Sequence, residues 1–168
     1  KNESKNKNMN RRIFIAVFVL TAAIVNNAFS QKKLLSINDF KEPRGDWYKA
    51  RDAKLSTENE QFLEFIPGEG VYVNGKTGRT NHLITSDNHG DMKLILEFMI
   101  SKNSNSGVYF QGRYEVQVFD SWGIENPACT DCGGIYQRWN IKKEGEKGYD
   151  GIPPLVNACK PPGEWQTL

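Results

Sequence analysis

From about residue 38 onward, apolar and polar positions alternate in short runs, and no stretch holds the spacing of three to four residues that marks an amphipathic helix. The clearest run is Met92 to Ile100, where Met92, Leu94, Leu96, Phe98 and Ile100 share one parity and Lys93 and Glu97 the other. Successive side chains of an extended chain point to opposite faces, so this pattern predicts a strand with one face on a core. After the loop Ser101 to Ser106, Gly107 to Gln111 and Tyr114 to Asp120 read as two antiparallel strands. They reverse at Gly112-Arg113, where Gly112 supplies the positive φ of a tight turn. In the second strand Tyr114, Val116 and Val118 take one parity and Glu115 and Gln117 the other. The apolar set is expected in the core, with the carboxylate and the amide on the opposite face.

Shorter elements precede these. Asn38-Asp39-Phe40 predicts a short helix or turn, and Gly45 to Tyr48 the start of a first strand. Phe62 to Ile66 and Gly70 to Val73 read as two short strands, interrupted by Pro67 and Gly68 and closed by the hairpin signal Asn74-Gly75. His82 to Thr85 predicts another, ended by the polar loop Ser86 to Asp91. Short strands joined by Gly, Asn and Pro turns, with almost no helix, predict an all-β fold of the β-sandwich or jelly-roll type.

The first 30 residues follow a different pattern. Met9-Asn-Arg11-Arg12 is basic, Ile13 to Val25 is an unbroken apolar and small-residue run, and Ala28-Phe29-Ser30 places small residues at a cleavage position. That is the pattern of a signal peptide, too short in its apolar part to span a bilayer comfortably. A retained anchor is the competing reading; Asn26 and Asn27 cut the run short, and no Cys follows to take a lipid. Residues 1–30 are therefore expected to be upstream sequence and leader, and 31–168 a single secreted or periplasmic domain with no stable membrane span after processing. N-terminal sequencing of exported protein is expected to begin at Gln31; a membrane-bound product that keeps Ile13 to Val25 contradicts this. At the other end, Pro161-Pro162-Gly163-Glu164-Trp165 delivers the backbone into a new strand-like run, so the domain is expected to be cut inside its sheet.

Composition narrows the class of partner. With 25% charged and 38% hydrophobic residues, the 168-residue chain suits one globular domain. Its net charge of +2 includes Lys1, Lys5, Lys7, Arg11 and Arg12 of the leader, so the folded part carries no basic excess and nucleic acid is not an expected partner. Three cysteines, Cys129, Cys132 and Cys159, in an exported protein predict one disulfide. Cys159 pairs with Cys129 or Cys132, the former favoured because Cys132 abuts the strand-like Gly133-Gly134-Ile135-Tyr136. Cys129-x-x-Cys132 has redox spacing but no βαβ surroundings, and three thiolates lack a fourth ligand for zinc. His82 and His89 lie in or beside loops with no matching ligand spacing, so no metal site is assigned; a divalent cation such as calcium is the one cofactor left open.

The chemistry-bearing pattern is Glu115-x-Gln117-x-x-Asp120. Asp120 has the parity opposite to Glu115, but a bulge near Val118-Phe119 would bring all three onto one face. Carboxyl groups ~5 Å apart suit a retaining glycosidase, and ~6.5–9.5 Å an inverting one. The spacing is similar to the Glu-x-Asp-x-x-Glu of laminarinase-type jelly-roll glucanases and departs from it at two positions. The competing reading makes these residues a solvated strand face.

Longer runs carry a more specific resemblance. Gly90 to Phe98, Asn105-Ser106-Gly107-Val108-Tyr109-Phe110-Gln111-Gly112 and Tyr114-Glu115-Val116-Gln117-Val118-Phe119-Asp120-Ser121 resemble the 3-keto-disaccharide hydrolase family. Gly133-Gly134-Ile135-Tyr136, Pro153 to Ala158 and Pro161 to Thr167 continue the likeness, which covers about residues 34 to 168. The resemblance implies a concanavalin A-like jelly roll, a carbohydrate substrate, and hydrolysis of disaccharides or glycosides oxidised to a ketone at carbon 3. For that chemistry Glu115 is the expected base or acid on this sequence, Asp120 its partner, and Gln117 a hydrogen-bonding group for a hydroxyl or the ketone. Arg113 and Arg138 are candidates for polarising the carbonyl, with plain surface charge as the alternative. Tyr109, Gln111, Tyr136 and Trp139 are candidates to line the cleft, although Tyr109 and Tyr136 suit core packing equally. Asn105-Ser106-Gly107 reads as a turn rather than a ligand. A non-catalytic carbohydrate-binding module on the same fold is the alternative function.

Overall fold

A computed structural model describes residues 36–75, 79–139 and 149–168, so the expected leader lies outside the described residues. The described helical structure is a single 3-10 turn, Ile37–Asp39, closed by Ser36 and Asp39 capping each other's backbone. Eight strands follow: β1 (Tyr48–Leu55), β2 (Leu63–Val73), β3 (Glu97–Phe98), β4 (Asn105–Phe110), β5 (Tyr114–Phe119), β6 (Ile135–Trp139), β7 (Tyr149–Ile152) and β8 (Gln166–Thr167). All pair antiparallel, as β1-β2, β3-β8 and the four-stranded β4-β5-β6-β7. This is an all-β architecture consistent with a jelly-roll sandwich. Among the described residues no helix is long and apolar enough to cross a membrane.

The two apolar stretches expected on either side of Pro67 form one strand, β2. Its register shifts at Ala50, which pairs with both Pro67 and Val71 and leaves Gly68 to Gly70 bulged outward. Pro67 has no N–H to give to a ladder, and a bulge removes that requirement. The strand expected over Met92 to Ile100 is shorter, pairing only at Glu97–Phe98 with β8, and Leu96 and Leu168 exchange both backbone bonds at 3.2 and 2.9 Å. Upstream, Met92, Leu94 and Ile95 are exposed. Parity makes a strand possible, but a ladder needs a partner, and none among the described residues runs beside Met92 to Ile95. For the same reason the expected strand His82 to Thr85 is reduced to a bridge between Phe40 and Thr85.

β4 and β5 run in unbroken register from Asn105 opposite Phe119 to Phe110 opposite Tyr114. The turn lies one residue earlier than the sequence suggested: Gln111 and Gly112 take φ of 54° and 60°, and Arg113 N–H donates to the Phe110 carbonyl at 3.0 Å. β5 joins β6 at Val116 opposite Ile135, and Gln117 donates to the Gly134 carbonyl and accepts from Gly133 N–H at 2.9 and 2.8 Å. The core forms on the Val108 and Val118 face of this sheet, where Ile100, Val118, Cys132 and Cys159 are buried together, with Phe98 and Val108 packed against them. Burying an aliphatic side chain such as Val118 stabilises by about 1.5–3 kcal/mol. The opposite face of β5, carrying Glu115 and Gln117, is thereby left for other work.

Candidate functional site

Because β4 and β5 pair without a shift, Tyr109 stands directly across from Glu115, and Gly107 across from Gln117. The Tyr109 hydroxyl donates to Glu115 Oε2 at 2.7 Å. Glu115 leans diagonally over Gly107, whose missing side chain makes the room: a Cβ there would lie 2.1 Å from Oε1. The hydrogen bond to Glu115, helped by burial, holds the Tyr109 phenol above its ordinary pKa of 10.0, so it stays a proton donor at neutral pH. The His82 ring lies 6.0 Å from the Tyr109 ring. Continuing the β5-β6 register by one residue sets Tyr136 beside Glu115.

Gln117 shares this face and is only 2% exposed. Its Nε2 donates to Asn105 Oδ1 at 3.2 Å, a bond that satisfies half of a buried amide and orients it. Asn105 is the first residue of β4 rather than part of a turn, which corrects the reading of Asn105-Ser106-Gly107. The face therefore carries a carboxylate, a phenol, an oriented amide pair and an imidazole. Such a set suits proton transfer next to a hydroxyl-rich ligand.

Other expected members lie elsewhere. The bulge that was to swing Asp120 toward Glu115 is absent, since the register is unbroken through Phe119. Asp120 is five residues along from Glu115, about 16 Å for an extended strand, and has the opposite parity. Its carboxylate instead accepts from Asn103 N–H at 2.9 Å and fixes the loop before β4, while its own N–H donates to the Ser104 carbonyl at 3.2 Å. Arg113, in the turn, and Arg138 lie 5.9 and 4.8 Å from the centre of the ring of Tyr114, a residue whose parity is opposite to that of Glu115. For Arg138 the register shift between Ile135 and Arg138 accounts for the departure from simple alternation. Tyr114 consequently lies exposed beneath two guanidinium groups instead of in the core expected of its parity. Gln111 is exposed in the turn, and Trp139 is exposed opposite Tyr149 in β7.

A concavity lies away from this face. A cleft of about 350 Å³ is lined by Leu55, Glu60, Lys102, Asp120, Trp122, Pro161 and Pro162. Lys102 pairs with Glu60 at 2.7 Å, and Trp122 is exposed. Trp122 directly follows the Asp120-Ser121 that closes the β5 run, which is the signal that would have flagged it. Spacing in the sequence offers His82 only as a metal ligand, whereas the structure sets its ring beside Tyr109, the partner of Glu115. Among the described residues no group of three or more His, Cys, Asp or Glu is arranged to hold a metal ion.

A family model described as the 3-keto-alpha-glucoside-1,2-lyase-like domain matches residues 35–168. No curated protein and no solved structure matches the chain.

Proposed function

The chain belongs to the 3-keto-alpha-glucoside-1,2-lyase-like domain family, and from that premise we propose that it cleaves 3-keto-glycosides or 3-keto-disaccharides by proton abstraction at Glu115, outside the cytoplasm. A ketone at C3 acidifies the proton on C2. Glu115 removes that proton, the electrons form the C1–C2 double bond, and the C1–O bond to the leaving sugar breaks. The departing oxygen takes a proton from a neighbouring donor, for which Tyr109, held protonated by its bond to Glu115, and His82 are the candidates. Water then adds to C1 and a proton returns to C2, so the sum of the two steps is hydrolysis. Asn105, oriented by the buried Gln117 amide, supplies a hydrogen bond to the sugar, and Tyr136 an aromatic edge. This route needs a base, an acid and a polarised carbonyl, and no covalent glycosyl-enzyme.

The observation that carries the reading is the 2.7 Å bond from Tyr109 to Glu115 on the sheet face turned away from the core. The apolar leader supports the extracytoplasmic setting. Incubating the full-length gene product with 3-keto-trehalose, 3-keto-lactose and their unoxidised parents is expected to release monosaccharide from the keto sugars alone. Equal release from the parents, or none from either keto sugar, overturns it. A second reading, a carbohydrate-binding module without turnover, is favoured by the exposed Trp122 and Trp139, since exposed indoles stack on sugar rings. It predicts binding without turnover and loss of affinity when these aromatics are removed.

A further inference from the structure

We propose that Cys132 and Cys159 are a redox pair that closes a reversible disulfide, clamping the segment that follows β5 to the segment that precedes β8. Both residues are buried, at 8% and 6% exposure, and belong to the same core cluster as Ile100 and Val118. Their backbones are already held side by side by one fully buried residue, Ser121. Its Oγ accepts from Cys132 N–H at 3.0 Å, and its carbonyl accepts from Asn157 Nδ2 at 2.6 Å. Asn157 in turn accepts from Cys159 N–H at 3.1 Å, which completes a chain of bonds from one cysteine to the other.

Cys129, which the sequence favoured as partner, faces away. Its Sγ lies 3.9 Å from Gln137 Oε1 of β6, and a Cβ on Gly151 of β7 would meet it at 2.5 Å. It is packed into the β6-β7 pair, whereas the Cys159 thiol points to the carbonyls of Phe119 and Lys160 at 3.6 and 3.5 Å. Phe119 and Lys160 adjoin in sequence Asp120 and Pro161, which both line the cleft beside Trp122.

The cysteines are thiols in the described structure. Closing the bond needs a disulfide as oxidant, either a small-molecule one or one carried by an oxidoreductase. A cysteine thiolate attacks that disulfide to give a mixed disulfide and releases one thiol. The second cysteine displaces the other half, so two protons and two electrons pass to the partner and one S–S bond forms in the chain. Burial pushes the Cys159 thiol up to about 11, so in the folded, reduced protein the reactive thiolate is scarce. The bond is expected to form readily during refolding, before the core closes, and slowly afterwards.

The test uses the full chain refolded in a buffer of oxidised and reduced glutathione, then alkylated and mapped by mass spectrometry. The expected result is a Cys132–Cys159 linked peptide with Cys129 alkylated, and a Tm about 10 °C lower after reduction. Cys129→Ser keeps the link; Cys132→Ser and Cys159→Ser lose it and melt with the reduced parent. A link through Cys129, or three alkylated cysteines in refolded protein, overturns the proposal. Because mapping of the parent chain decides the pairing, the result stands even if a serine variant fails to fold.

Discussion

Glu115→Gln is expected to lower turnover of a 3-keto-disaccharide by about 10²-fold or more while leaving sugar binding and Tm close to those of the parent. The amide has nearly the shape of the carboxylate and still accepts the Tyr109 hydrogen bond that Glu115 receives at 2.7 Å. What disappears is the capacity to take a proton. Asp120→Asn separates this site from the pair suggested by the sequence. Since Asp120 accepts from Asn103 N–H and lies along the strand beyond reach of Glu115, its substitution is expected to loosen the Ser101–Ser104 loop and to change turnover several-fold at most. Kinetics of both variants on one keto substrate decide between the arrangements. Near-normal turnover in Glu115→Gln removes Glu115 from the chemistry, and equal losses in both variants restore Asp120 as a partner.

The contrast between those carboxylates shows what a strand pattern contains. Parity is a local property, and it placed Glu115 and Gln117 on one face and Val118 in the core, as the β4-β5 ladder and the buried cluster have them. Whether the strand bulges is decided by its neighbour. Asn105, Ser106 and Gly107 continue β4 in step with Phe119, Val118 and Gln117, so no extra residue is inserted and Asp120 keeps its own side. The sequence offers no local sign of that, because Asn-Ser-Gly suits a turn as well as a strand. The same limit applies to Met92 to Ile95, whose alternation is clear but whose pairing depends on residues elsewhere. Cysteine count led to the expectation of a disulfide, whereas all three cysteines are thiols in the described structure; which of Cys129 and Cys132 shares the buried cluster with Cys159 rests on how the loop carrying them turns. His82, far from Glu115 in sequence, reaches the site through tertiary packing alone.

Gly134→Ala is expected to destabilise the fold by about 2–3 kcal/mol, whereas the same substitution at Gly107 is expected to spare the fold and damage the site. The difference lies in what the new methyl group meets. At Gly134 a Cβ would sit 2.7 Å from the Cys129 carbonyl oxygen and 3.0 Å from that of Asp131. That loop is pinned by Gly134 N–H donating to Asp131 at 2.9 Å, and by Ala128 N–H donating to the Asp131 carboxylate at 2.7 Å. Backbone held this way yields only if the bonds joining β5 to β6 through Gly133 and Gly134 are strained, and the loss is read as a lower urea midpoint. At Gly107 the methyl meets Oε1, Cγ and Cδ of Glu115 at 2.1 to 2.8 Å, the end of a flexible side chain that can swing aside. The carboxylate then leaves Tyr109, and turnover is expected to fall by about tenfold or more through lost positioning, with the urea midpoint within error of the parent. An unchanged midpoint for Gly134→Ala, or undiminished turnover for Gly107→Ala, contradicts the packing or the site respectively.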